Sequence, residues 1–179
     1  MTDAEAEGLA RSGAVAGLCP VTEANLGDGI FPASTFLSAD GAFGVGSDSN
    51  VLIGLADELR QLEYAQRLGE RARNVIAEPG ASTGRRLFDG ALAGGAQAMG
   101  IEAGIAEGLP ASFFSLDNSA APWLTEDQAL DGFIFAGQVK PDCVWANGVK
   151  QVEAGRHVRR AAIEARFRKA MTALMARSG

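Results

Sequence analysis

An α/β fold built on parallel strands is predicted by three observations. The first half of the chain reads as helix, strand, loop, short helix, strand and long helix, the βα alternation of a parallel sheet or barrel. The apolar lead-in Phe43 to Val45 ends in a small-residue turn, Gly46-Ser47-Asp48-Ser49-Asn50, so one carboxylate stands at the carboxyl end of a strand, where α/β barrels keep their chemistry. After Gly100 the character changes to short β segments outside that alternation, which marks a further element.

Taken in order, Thr2-Asp3-Ala4-Glu5 is a capping box, and a helix runs from it to near Gly13. Val15 to Cys19 is a short apolar strand expected to be buried on both faces, and Pro20 ends it. Residues 20–32 read as a loop carrying Glu23, Asn25 and Asp28 toward the same mouth as Asp48, followed by a short helix or irregular crossover over 31–40. A long helix is predicted over 51–74, with Leu52, Leu55, Leu59 and Leu62 as its apolar stripe, extended by Tyr64 and Leu68. Its charged residues, Asp57, Glu58, Arg60, Glu63, Arg67, Glu70, Arg71 and Arg73, read as a solvated face. The break 78–84 precedes a helix over 85–99, whose Ala and Gly run at 91–98 lets another backbone come close. A strand at 111–117, a hairpin at 142–152 turning on Asn147-Gly148, and an amphipathic helix over 159–177 with Ile163, Phe167, Ala170 and Leu174 on one side complete the chain.

Composition bounds the partners. With 179 residues, 47% hydrophobic and 21% charged, the chain is a soluble globular composition. A net charge of -6 argues against an electrostatic partnership with nucleic acid or an anionic membrane surface. Cys19 and Cys143 lack metal-type spacing and read as buried free thiols in a reducing compartment, and neither a signal peptide nor a spanning segment is expected. His157 is the single histidine, whereas hydrolytic zinc sites usually draw several ligands from His or Cys. Asp48 therefore has two readings: a carboxylate that ligates a metal and accepts the proton of a bound water, or a turn or helix-capping residue.

The runs Gly17 to Gly29, Gly44 to Asn50 and Gly94 to Ala98 closely resemble the carboxyl-terminal part of formimidoylglutamate deiminase, a family of metal-dependent amidohydrolases. The similarity takes in Glu58 to Tyr64, Arg73 to Val75, Leu130-Asp131, Ile134 to Gly137, Val144-Trp145 and Gly155 to His157. It implies the last two βα units of a (β/α)8 barrel in residues 1–108, part of a small β-sandwich-like domain in 109–158 and a carboxyl-terminal helix in 159–179. It further implies a cytoplasmic, zinc-dependent hydrolase acting on C–N bonds in linear amidines. Its reaction converts the small-molecule substrate N-formimidoyl-L-glutamate to N-formyl-L-glutamate and ammonia in histidine degradation.

In that resemblance Asp48 matches the carboxylate after the eighth strand, which ligates the one zinc ion and accepts the proton of the attacking water. Thr22, Glu23 and Asn25 match the loop after the seventh strand. The family's paired metal histidines, its further histidine ligand, its acid/base glutamate and the sixth-strand histidine have no counterpart here. The expected partner is thus the missing amino-terminal half of the barrel, in cis or in trans, with a homodimer as one assembly of the complete enzyme. Alone, the chain is expected to bind zinc weakly and to be inactive. Two other readings stand beside this one: a non-catalytic binding or scaffold domain derived from an amidohydrolase, and a related deaminase acting on another amidine or an aminated ring.

Overall fold

The capping box forms as the sequence prescribes: Thr2 Oγ1 accepts from Glu5 N at 3.3 Å while Thr2 N donates to Glu5 Oε2 at 2.7 Å, starting helix α1 (Asp3–Arg11). The computed structural model describes residues 1–49 and 52–177 in two units, residues 1–103 with 118–139, and residues 104–117 with the chain from 140 on. Asn50 and Val51, which include the expected first residue of the long helix, and the last two residues of the expected terminal helix segment lie outside the described residues.

In the first unit, strands β1 (Val15–Leu18) and β2 (Ala42–Val45) pair in parallel, with Val15 opposite Ala42 and Leu18 opposite Val45. Ala16, Leu18 and Phe43 are buried, but Gly17 is exposed and Val15 only half-buried. The expectation of burial on both faces therefore fails for β1, because the described elements cover one face and leave the Gly17 face open. Residues 20–32 are not all loop either. Helix α2 (Pro20–Leu26) fills most of them, with Pro20 in its first turn and Gly27 closing it at φ +74°. Pro at a helix start and Gly just past its end are the residues best suited to those places. The short helix α3 (Ala33–Ser38) follows as expected.

The long helix α4 spans Leu55–Glu70, with Gly54 as its N-cap, so it begins later and ends earlier than the apolar spacing predicts. Its buried face joins Leu59 and Leu62 to Glu58, Glu63 and Gln66, whereas Leu52, Leu55, Tyr64 and Leu68 are exposed. Reading Glu58 and Glu63 as part of a solvated face is therefore wrong. Each flanks the Leu59–Leu62 line at helical spacing and has backbone donors to satisfy. Glu63, fully buried, accepts from Arg67 Nε at 2.7 Å, Val75 N at 2.9 Å and Ile76 N at 3.1 Å. Gln66 donates to Phe31 O at 2.9 Å and accepts from Ala33 N at 3.1 Å. Buried polar groups persist only when so partnered.

Helix α5 (Thr83–Met99) starts where Ser82 Oγ accepts from Arg85 N at 3.0 Å and ends at Gly100, φ +64°. It lies directly on β2: a Cβ at Gly94 would stand 2.0 Å from Phe43 O, and one at Gly90 2.6 Å from the Phe43 ring. The small-residue surface thus does admit a second backbone. Helix α6 (Asp127–Asp131) and a π-helical turn (Gly132–Ala136), which the apolar spacing did not announce, complete the unit. Asp131 Oδ1 accepts from Gly84 N at 2.7 Å, satisfying a donor in the first turn of α5. Arg60 Nη1 donates to Ile134 O at 3.1 Å and pairs with Asp57.

The second unit is an antiparallel sheet of β3 (Phe113–Asp117), β4 (Lys140–Ala146), β5 (Val149–Glu153) and β6 (Arg156–His157) in that order, with helix α7 (Arg160–Met175). The hairpin turns on Asn147 at φ +48° and Gly148 at φ +77°, the type I′ geometry its residues favour. Helix α7 buries none of its side chains, so the predicted apolar side, including Ile163, Phe167 and Leu174, is exposed. Among the described residues no helix is long and apolar enough to cross a membrane.

The α5–β2 contact yields a paired prediction. Gly94→Ala should destabilise the first unit by about 1–3 kcal/mol, the usual cost of overpacking a close contact. Gly95→Ala, where an added Cβ meets nothing within 4 Å, should be neutral or stabilising by up to ~1 kcal/mol from helix propensity. Urea denaturation of both variants checks the contrast, and equal midpoints would remove the close approach as a packing constraint.

Candidate functional site at the carboxyl ends of the parallel strands

Because β1 and β2 are parallel and in register, their carboxyl ends open at one level, and Gly46 N donates to Leu18 O at 2.9 Å just beyond the paired residues. Asp48 follows β2 by three residues, in a turn, exposed, with Ser49 Oγ donating to its Oδ1 at 3.2 Å. Its φ of +45° lies in the left-handed region, which aspartate tolerates better than most residues but still at a cost. The helix-capping reading of Asp48 falls away, since the N-cap of α4 is Gly54. The turn reading remains.

Helix α2 stands over the same end. Its first turn is pinned by two carboxylates: Glu23 Oε1 accepts from Cys19 N at 2.7 Å, and Glu58 Oε2, reaching from α4, accepts from Val21 N at 2.9 Å. Thr22, 6% exposed, donates from Oγ1 to Ser47 O at 3.0 Å, the carbonyl next to Asp48. Of the residues assigned to the loop after the first strand, Thr22 bonds to the turn that carries Asp48 and Glu23 to Cys19 just after β1, while Asn25 and Asp28 are exposed. Glu58 was missed by sequence reasoning. Its position beside the Leu55–Leu59–Leu62 stripe is the signal that could have found it. His157 belongs to β6 in the second unit, where its Nδ1 accepts from Arg159 N at 3.1 Å.

Cys19, half-buried at the end of β1, has its thiol pushed above the ordinary range, first by burial and then by the negative charges of Asp48, Glu23 and Glu58. It is therefore a neutral thiol beside the carboxylates rather than a thiolate ready to bind a soft metal. Among the described residues no group of three or more His, Cys, Asp or Glu side chains could hold a metal ion. Asp48 offers one carboxylate, and structural and catalytic zinc sites take three or four protein ligands. The described residues by themselves do not fit a zinc ion.

No family model matches the chain. It is 49% identical over 162 residues to formimidoylglutamate deiminase of Pseudomonas aeruginosa, a match covering 86% of this chain and 35% of that protein. A crystal structure of an amidohydrolase from Brucella melitensis superposes with a TM-score of 0.94 at 57% identity, covering 98% of this chain and 39% of that one. An adenosine deaminase from Xanthomonas campestris, solved with bound zinc, shares the fold at 22% identity with a TM-score of 0.76, covering 98% of this chain and 41% of that one. The chain thus spans about a third of the length of the curated relatives it matches.

The environment of Cys19 predicts a slow thiol. A raised pKa in the folded state means that the native protein holds its proton longer than the unfolded chain does. The associated stability is present below the ordinary thiol range and is lost as pH rises through the folded value. Alkylation of Cys19 by iodoacetamide, followed by mass spectrometry from pH 7 to 10, should lag behind the urea-unfolded chain throughout. Equal rates at pH 8 would contradict the shielded, acid-surrounded setting.

Proposed function

We propose that this chain, which belongs to the formimidoylglutamate deiminase family of amidohydrolases, supplies the last two βα units of the family's barrel, and that Asp48 is its catalytic and metal-holding residue. Joined in cis or in trans to the amino-terminal part of the barrel, it would hydrolyse N-formimidoyl-L-glutamate to N-formyl-L-glutamate and ammonia, a step of histidine degradation in the cytoplasm. The observation that carries this reading is the exposed Asp48 carboxylate at the shared carboxyl end of two parallel strands, in a chain 49% identical to the deiminase.

Zinc, when bound through ligands from the rest of the barrel, would supply a water acidified enough to attack at neutral pH. What this chain contributes is narrower. Asp48 would accept one proton from the attacking water; that proton and the water's second one would pass to the imino nitrogen, whose bond to the carbon breaks as ammonia leaves and the added oxygen becomes the formyl carbonyl. The carboxylate suits this role because it is an acceptor in a turn tied to the neighbouring strand at Gly46 and to Thr22 at Ser47. The left-handed turn conformation of Asp48 also suits one alternative, a non-catalytic scaffold domain derived from the same family in which Asp48 is a turn residue.

Two measurements separate the readings. In the chain joined to the amino-terminal part of a family member, Asp48→Asn should leave the melting temperature little changed and lower ammonia release by a factor of roughly a hundred or more, the scale for losing a positioned base. Equal turnover would return Asp48 to the role of a turn residue. The isolated chain should hold zinc substoichiometrically after dialysis and release no ammonia from the substrate. One tightly held zinc per chain with turnover would overturn the requirement for the rest of the barrel.

A further inference from the structure

Asp48 does not hold its place unaided. Its φ of +45° is a conformation that surrounding structure must impose, and such residues persist where neighbours over-determine them. Bonds to two other elements hold the preceding residues. Gly46 N is tied to Leu18 O of the neighbouring strand at 2.9 Å, and Ser47 O receives the hydroxyl of Thr22 at 3.0 Å. Thr22 is 6% exposed and sits in the first turn of α2, so its own position is set by what fixes that turn. Two carboxylates do so: Glu23 on Cys19 N, and Glu58, 2% exposed on α4, on Val21 N.

A line of hydrogen bonds therefore runs from the core face of α4, through the start of α2, to the carbonyl adjoining Asp48. We infer that Thr22 is a positioning residue for Asp48: its hydroxyl, by holding Ser47 O, sets the direction in which the Asp48 carboxylate leaves the strand end. This rests on the reading of Asp48 as the catalytic carboxylate and adds to it the side chain through which the second βα unit is aimed by the first. The hydroxyl, rather than the bulk of the side chain, is the operative group, which makes the inference separable from packing.

The test uses the chain joined to the amino-terminal part of a family member, with ammonia release measured for Thr22→Val, Thr22→Ser, Asp48→Asn and the Thr22→Val/Asp48→Asn pair. Thr22→Val keeps the shape and removes the donor; it should lower kcat by about tenfold to a hundredfold, the scale of a small misplacement of a reacting group. KM should stay within about twofold, since a misaimed base affects turnover more than substrate binding. Thr22→Ser should recover kcat to within about threefold of the parent, and in the Asp48→Asn background Thr22→Val should cost less than about twofold more, because residues acting through one another are not additive.

Thr22→Val turning over like the parent, Thr22→Ser no better than Thr22→Val, or a full second loss in the Asp48→Asn background would each overturn the inference. If Asp48→Asn is impaired and Thr22→Val is not, this inference alone falls; if Asp48→Asn turns over normally, the catalytic reading falls and takes this one with it. Thermal denaturation accompanies every variant, and should Thr22→Val lose its cooperative melt, Thr22→Ala replaces it in each arm with the same outcomes.

Discussion

The parallel pairing of Val15–Leu18 with Ala42–Val45 is the constraint on which the first unit depends. Antiparallel strands would send Cys19 and Gly46 to opposite ends. In the observed register Leu18 lies opposite Val45, so both chains leave the sheet at one level and on one side. The proposed site follows from that: the start of α2, the Ser47–Asp48 turn and the hydroxyl contact between them. The strand carrying Asp48 is in turn held from behind by α5, which can approach only because Gly90 and Gly94 present no side chain to Phe43.

Helix α4 anchors three other segments of the first unit. Its buried carboxylates and amide are each spent on backbone donors or acceptors of other segments: Glu58 on Val21, Gln66 on Phe31 and Ala33, Glu63 on Val75 and Ile76. A buried donor left without its partner costs about 1–3 kcal/mol, so each contact fixes a loop more firmly than apolar packing of similar area. The arrangement trades hydrophobic area for positional definition.

Much of this organisation is legible in the residues. The Thr2 capping box, the strand before Asp48, the small-residue face of α5 and the Asn147-Gly148 turn each depend on local chemistry that the sequence displays, and each forms. Helix α2 looks like a loop in the sequence because Asn25, Gly27 and Asp28 outweigh Pro20 as a helix start, although Gly27 is its C-cap. Glu58 and Glu63 look like surface charges because their partners are backbone groups 37 and 12 residues away, which no periodicity reports. The left-handed φ of Asp48 and the hydroxyl bond from Thr22 to Ser47 are likewise products of tertiary contact. The family resemblance pointed to Asp48; how it is held could come only from the fold.

A crystal structure of the chain joined to the amino-terminal part of a family member, grown with zinc and measured at the zinc absorption edge, tests the assignment of Asp48 most directly. The anomalous peak should lie about 2.0–2.2 Å from an Asp48 carboxylate oxygen, the distance of a zinc–carboxylate bond. A zinc ion fully ligated by other residues, with the Asp48 carboxylate turned away beyond about 4 Å, would contradict it.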